Sequence, residues 1–181
     1  MKPTEKQLIE LFEREGKAGI VSLVSRFISD HRSSSSDILF LTEWCDHIDL
    51  LKAILEVKLD VNVINDAGAT PLYYAASVGF RELEKSQRRV CEVLIAKGAD
   101  VNRRHRLRFE APPRVLEGDT ALMTAARTNA TSIIELLIAS GADPSIKDRS
   151  GFTALDHALH RKREEAANIL ERVRSGEIGD T

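Results

Sequence analysis

Apolar positions recur along the chain in paired runs with helical spacing. Leu72, Ala75 and Ala76 open one pair, and Val93, Leu94 and Ile95 form its second run. Leu122, Ala125 and Ala126 are followed in the same way by Leu136, Leu137 and Ile138. Leu155 and Ala158 precede a charged stretch, Arg161 to Arg174, that carries Ala166, Ala167, Ile169 and Leu170 on one stripe. Stripes of this kind predict amphipathic helices, and the alanine pairs are small enough to let neighbouring helices approach closely. Upstream, Leu8, Ile9, Leu11 and Phe12 have helical spacing, Gly16 and Gly19 interrupt the run, and Ile20, Val21, Leu23, Val24, Phe27 and Ile28 resume it. That pattern predicts a helical hairpin.

The polar residues between these runs repeat as well. Gly68-Ala69-Thr70-Pro71-Leu72, Gly118-Asp119-Thr120-Ala121-Leu122 and Gly151-Phe152-Thr153-Ala154-Leu155 share one phrase. Each Thr suits an N-cap, where its hydroxyl accepts a hydrogen bond from an orphan backbone N–H. Pro71 then falls at the first helical position, where a missing N–H costs nothing. The preceding Gly supplies a tight turn. A second phrase, Gly98-Ala99-Asp100-Val101-Asn102 and Gly141-Ala142-Asp143-Pro144-Ser145, ends the second helix of two pairs with a glycine cap. Thr120 and Thr153 stand 33 residues apart, and self-similarity at that period marks a stacked repeat array.

These residues resemble the ankyrin repeat, a hairpin loop followed by two antiparallel helices. The resemblance runs strongly over residues 66–170 and implies an all-α solenoid. Upstream it is weaker: Asp60-Val61-Asn62 stands where a unit should end, with Lys58-Leu59 in place of Gly-Ala, and Asp37 is placed to be its N-cap. Asp46-His47-Ile48-Asp49-Leu50-Leu51 and Ile54-Leu55 fit the inside of that eroded unit. The expected organisation is one domain over 1–181. It comprises an N-terminal helical cap (1–32), a degenerate repeat (37–65), a repeat with an insertion between its helices (66–102), a basic insertion (103–116), a repeat (117–147), a C-terminal capping repeat (148–174) and a tail (175–181). An atypical terminal unit is what seals such a stack. Ser33 to Ser36 read as a polar linker or as a phosphorylation segment.

Two insertions set the central repeat apart, because Thr70 and Thr120 are 50 residues apart. Seven of the extra residues fall around Arg81 to Gln87, among good helix formers, and predict a longer helix. Ten fall within Arg103 to Leu116, where Arg103, Arg104, Arg106, Arg108 and Arg114 face a single Glu110. Arg106-Leu107-Arg108-Phe109 alternates polar and apolar as a short strand would, and Pro112 and Pro113 would stiffen the return. The segment reads either as a projecting basic finger for an acidic surface or phosphate, or as a solvated loop. Arginine suits the first role because its planar fork binds carboxylates in pairs.

Bulk properties narrow the function. Net charge is −2, so no global field favours nucleic acid or an anionic membrane. Cys45 and Cys91 stand 46 residues apart, with neither a disulfide framework nor metal-ligand spacing. No apolar run approaches the roughly 20 residues needed to span a bilayer, and no apolar stretch at the N-terminus has signal-peptide length. An intracellular, reducing and cytoplasmic setting is expected. His157 and His160 could face one metal from a helix but lack a third ligand beyond Asp156, and Cys45 and His47 point in different directions on a helix. Cys91, between Val90 and Val93, reads as a small buried hydrophobe. Nothing here argues for an enzyme, and no cofactor, metal or small-molecule substrate is expected.

The resemblance implies a protein partner at the hairpin tips and on the exposed positions of each first helix, along the concave side. The residues so placed are Asp66, Ala67, Ala69, Tyr73, Ser77 and Val78 in one repeat, and Glu117, Asp119, Met123, Arg127 and Thr128 in the next. The last repeat adds Arg149, Phe152, His157, His160 and Arg161. Arg103, Arg104, Arg106, Arg108 and Phe109 would contribute from the basic finger. Trp44, the single tryptophan, reads either as an interface anchor or as packing against the N-terminal cap. Tyr73 and Tyr74 replace the family's usual His and its neighbour, a loss expected to weaken the link between adjacent hairpin loops. An inhibitor, antitoxin or immunity-type protein would use the same groove to block an enzyme. A nucleic-acid binder fits less well, since the basic residues are confined mainly to one loop.

Overall fold

A computed structural model of the chain describes residues 4–30, 48–57, 59–77, 81–110 and 113–177. Segment α1 (Glu5–Asp30) is two helices that meet at Gly16, whose φ of 62° and ψ of −157° leave helical space, whereas Gly19 stays inside the second helix. Helix α2 (Ile48–Ile54) packs against it, and Leu8, Ile20 and Val24 are buried in one core with Leu50, Leu51 and Ile54. Three helix pairs follow: α3 (Pro71–Ala76) with α4 (Arg81–Ala96), α5 (Ala121–Thr128) with α6 (Thr131–Ala139), and α7 (Ala154–His160) with α8 (Glu164–Arg174). Helices α3, α5 and α7 stack as one layer, while α2, α4, α6 and α8 stack as the other. The helical solenoid is as expected. The Asp37 cap, Ser33 to Ser36, Trp44 and the Cys45–His47 pair lie outside the described residues.

The threonine phrases do what their chemistry dictates. Thr70, Thr120 and Thr153 have extended backbone and accept hydrogen bonds from the N–H groups of Tyr73, Met123 and Asp156. Asp156 returns the favour by accepting from the Thr153 N–H, which completes a capping box. The two remaining second helices, α6 and α8, have no side-chain cap of their own. Their caps come from the preceding repeat. Glu84 Oε1 accepts from the Ser132 N–H at 2.8 Å and its hydroxyl at 2.7 Å, and Asn129 Oδ1 accepts from the Ala166 N–H at 3.0 Å. Glu84 lies in the inserted turn that makes α4 16 residues long where α6 has 9. The extension therefore serves the stack.

A second device ties repeats together at their ends. Asn62 donates to the Gly98 carbonyl at 3.1 Å and accepts from the Asp100 N–H at 2.8 Å. Asn102 repeats the pattern on Gly141 (3.0 Å) and Asp143 (2.8 Å). Asn62 of Asp60-Val61-Asn62 thus makes the same link as Asn102, although Lys58-Leu59 departs from the usual phrase.

The ten-residue insertion folds as a hairpin. Strand β1 (His105–Glu110) pairs antiparallel with β2 (Pro113–Asp119), setting Arg106 opposite Glu117 and Leu107 opposite Leu116. Pro113 sits at the first position of its strand, where it is tolerated. Alternate residues of a strand face opposite ways. One face buries Leu107 against Ala69 and Tyr73, and the other carries the largely exposed Arg106. These two strands form the one sheet among the described residues.

Candidate functional site

The hairpin and the first helices meet over a buried polar cluster. Tyr73, three residues past its cap, donates its hydroxyl to Asp119 Oδ2 at 2.6 Å. Arg127, one α5 residue before the helix end, grips both oxygens of Asp119 and also donates to the Tyr73 hydroxyl at 3.1 Å. Asp119 is 2 % exposed and the Arg127 side chain 15 %. Burial opposes the charge on Arg127, but the hydrogen bonds and charge of Asp119 outweigh that cost and hold it above the usual arginine range. Burial and then the Asp119 charge push the Tyr73 phenol up, keeping it a neutral donor.

His105 closes the cluster from β1. Its Nδ1 lies 3.0 Å from the Asp119 carbonyl oxygen, which can only accept, so Nδ1 carries the proton. Nε2 of the neutral ring then accepts from the Thr70 hydroxyl at 3.0 Å, while that hydroxyl accepts from the Tyr73 N–H. Burial lowers the His105 pKa below its ordinary value, which keeps this pattern in place. The lost His at Tyr73 was expected to leave the loops weakly linked. Instead His105 supplies an imidazole from the opposite side, and its ring lies 4.7 Å from that of Tyr73.

Above this floor is a cleft of about 230 Å³. Ala67, Ala69, Leu107 and Leu116 form its apolar side. Tyr74 of α3, its C-cap Ser77, and Thr124 and Arg127 of α5 form the other, with Tyr73 at the base. The lining helix residues stand four and seven positions past each cap threonine, spaced to share one face of a helix. In α7 the same positions are His157 and His160, which gather round Phe152 at ring distances of 5.7 and 6.4 Å. His157 Nε2 also lies 2.9 Å from Asp148 Oδ2.

This geometry sorts the residues that sequence placed at the interface. Ser77, Arg127, His157, His160 and Phe152 fall on the shared stripe, with Ala67 at its rim. Tyr73 and Met123, expected to be exposed, are 7 % and 1 % exposed, because the third position past the cap faces the neighbouring repeat. Ala69 and Asp119 are buried as well, under the hairpin. Thr128 turns its hydroxyl back to the Thr124 and Ala125 carbonyls. Asp66, Arg104, Arg106, Arg149 and Arg161 are exposed and Arg103 is half-buried. Trp44, Val78 and the side chains of Arg108 and Phe109 lie outside the described residues. Sequence reasoning missed His105, Tyr74, Leu107, Leu116 and Thr124 as parts of the site. The alternation it used for Leu107 and Phe109 extends back to His105 and could have found it.

Two models of ankyrin repeats match, one as three copies over residues 89–175 and one as a single repeat over 67–106. The chain belongs to the ankyrin repeat family. Ankyrin repeats generally mediate protein–protein interaction and are generally non-catalytic modules. Similar proteins include the E3 ubiquitin-protein ligase hecd-1 of Caenorhabditis elegans, 31% identical over 125 residues covering 67% of this chain and 4% of that protein. The human ankyrin repeat and KH domain-containing protein 1 is 36% identical over 105 residues, 58% of this chain and 4% of its own length. The bovine mitochondrial disaggregase is 41% identical over 70 residues, 37% of this chain and 9% of its own. This ankyrin chain therefore spans a small fraction of the relatives it matches. Some of those relatives are enzymes, and the likeness to them lies in their repeat regions. Among the described residues no helix is long and apolar enough to cross a membrane.

Proposed function

We propose that this chain is a non-catalytic protein-binding module that docks its partner in the groove between the β1–β2 hairpin and the first helices of the repeats. The observation that carries the reading is the cleft over the Tyr73–Asp119–Arg127 cluster. Its volume of about 230 Å³ is below the roughly 300–1,000 Å³ of sites that enclose a small-molecule ligand. It suits one apolar side chain of a partner, seated between Leu107 and Tyr74. A pocket that is rigid before binding spares the partner an ordering cost, and the locked floor beneath this one supplies that rigidity. The stripe continues to Phe152, His157 and His160, and Arg127 adds charge at the cleft's own wall. Together they supply the aromatic and arginine contacts that dominate interfaces.

The test is affinity capture from host lysate with the wild-type chain and with Ala67→Trp, which fills the cleft from its rim. A partner held by wild type and lost with Ala67→Trp supports the groove, and equal capture by both contradicts it. Deleting residues 103–116 is a poorer test, since it removes the buried His105 and Leu107 and unroofs the Thr70 cap.

A further inference from the structure

The hairpin face turned away from the cleft carries a second arrangement. Glu117 forms an ion pair with Arg106, Oε1 lying 2.7 Å from Nε, and its other oxygen accepts from Arg149 Nη1. The backbone ties the same two elements together, because the Arg149 N–H donates to the Glu117 carbonyl at 2.8 Å. Beside them, Arg104 Nη2 donates to the Lys147 carbonyl at 2.9 Å, and its guanidinium lies over Gly118 where a side chain would collide with it. Asp148, the other acid nearby, is turned away and engages the Ser150 and Phe152 N–H groups and His157. Two guanidinium groups therefore share one carboxylate, with a third beside them on the Lys147 carbonyl. The Arg106 and Arg149 side chains remain 66% and 75% exposed, and a guanidinium has five donors, of which these bonds use a small part.

We infer that Arg104, Arg106 and Arg149, gathered round Glu117, form a clamp for the carboxylates of an acidic segment in a protein partner. Glu117 acts as the internal stand-in for the first of those carboxylates and keeps two forks aimed at one point. The excess positive charge is local, in a chain whose net charge is −2, so an acidic partner is drawn to this face in particular. The planar fork of arginine favours carboxylate pairs held in fixed geometry. This inference rests on the reading of the chain as a protein-binding module and adds the chemistry of the partner. Its site, however, lies on the opposite face of the hairpin from the cleft, so the two can fail separately.

Fluorescence anisotropy of a labelled hexaglutamate peptide against the full chain at low salt tests it. Binding is expected to weaken with salt, to weaken by about threefold or more in Arg149→Gln and in Arg106→Gln, and to strengthen by a similar factor in Glu117→Gln, as exposed ion pairs allow. Arg172→Gln on α8 and the cleft variant Ala67→Trp should bind the peptide as wild type does. Matching thermal melts by circular dichroism establish that the variants are folded. No binding of hexaglutamate, equal loss in Arg172→Gln, or indifference to both Arg149→Gln and Glu117→Gln would overturn the clamp. So would inorganic phosphate displacing the peptide at equal charge. A six-nucleotide RNA that binds more tightly than hexaglutamate and is lost in Arg149→Gln would overturn it in favour of nucleic acid. A lost partner in Ala67→Trp alongside a silent hexaglutamate assay would reject the clamp and leave the groove standing.

Discussion

Tyr73 and Asp119, 46 residues apart, are joined by a 2.6 Å hydrogen bond across two repeats, in a place that the hairpin seals from water. The bond makes the insertion part of the stack, because Asp119 ends β2 while Tyr73 belongs to the preceding repeat. A hydrogen bond to a charged group contributes about 1.5–3 kcal/mol, but Arg127 still pairs with Asp119 when the phenol is removed. Tyr73→Phe is therefore expected to cost about 1–2 kcal/mol. Asp119→Ala leaves Arg127 charged and part-buried without its partner and should cost about 3–5 kcal/mol. Urea unfolding of the two variants checks the order, and an Asp119→Ala no worse than Tyr73→Phe would contradict it.

His105 makes stability depend on pH in a stated direction. Its folded pKa is lowered, chiefly by burial, with Tyr73, Asp119, Arg103 and Asp100 around it. Below the unfolded value of about 6.5 the unfolded chain binds more protons than the folded one, so stability falls as pH falls. Its contribution is complete above that value and is lost as pH drops through the folded pKa. The difference in unfolding free energy between wild type and His105→Gln should shrink from pH 7.5 to pH 5. A difference that stays constant over that range would show that His105 does not titrate on unfolding.

The glycines of the shared phrase are not equivalent. Gly68 and Gly151 both have φ of 84°, but a Cβ on Gly68 would fall on the Arg106 carbonyl oxygen while one on Gly151 meets open space. Gly151→Ala should cost about 1 kcal/mol, the conformational penalty alone. Gly68→Ala must also push β1 away and should cost clearly more. Thermal melts of the pair would decide it, with equal shifts counting against the close approach of β1 to Gly68.

Cys91 is fully buried on α4, and burial pushes its thiol up to about 12. A thiol so placed is inert. In a Cys45→Ser background, reaction with a disulfide reagent at pH 8 should be slow in the folded chain and fast in urea. Rapid reaction without denaturant would mean that α4 opens readily.

Much of this was legible in the sequence because its causes are local. Threonine caps, turn glycines and the Gly-Ala-Asp phrases act within a few residues of themselves, and the seven extra residues at Arg81 to Gln87 lengthen α4 as their helix propensity requires. The alternation at Arg106 to Phe109 likewise gave a strand. The rest depends on which repeat faces which. Nothing near Asp119 announces that Tyr73 and Arg127 will bury it, and the exposed stripe was placed one residue early at Tyr73 and Met123 because the third position past each cap faces the neighbouring repeat. Glu117 was counted with the next repeat, so its neutralising of Arg106 across the register was also invisible.

Amide hydrogen exchange of the chain alone and with its captured partner tests the central claim most directly. Docking in the groove predicts added protection at Tyr73 to Ser77, Leu107 to Leu116 and Thr124 to Arg127, with α6 and α8 unchanged. Protection confined to α4, α6 and α8 would place the partner on the other layer and contradict the account.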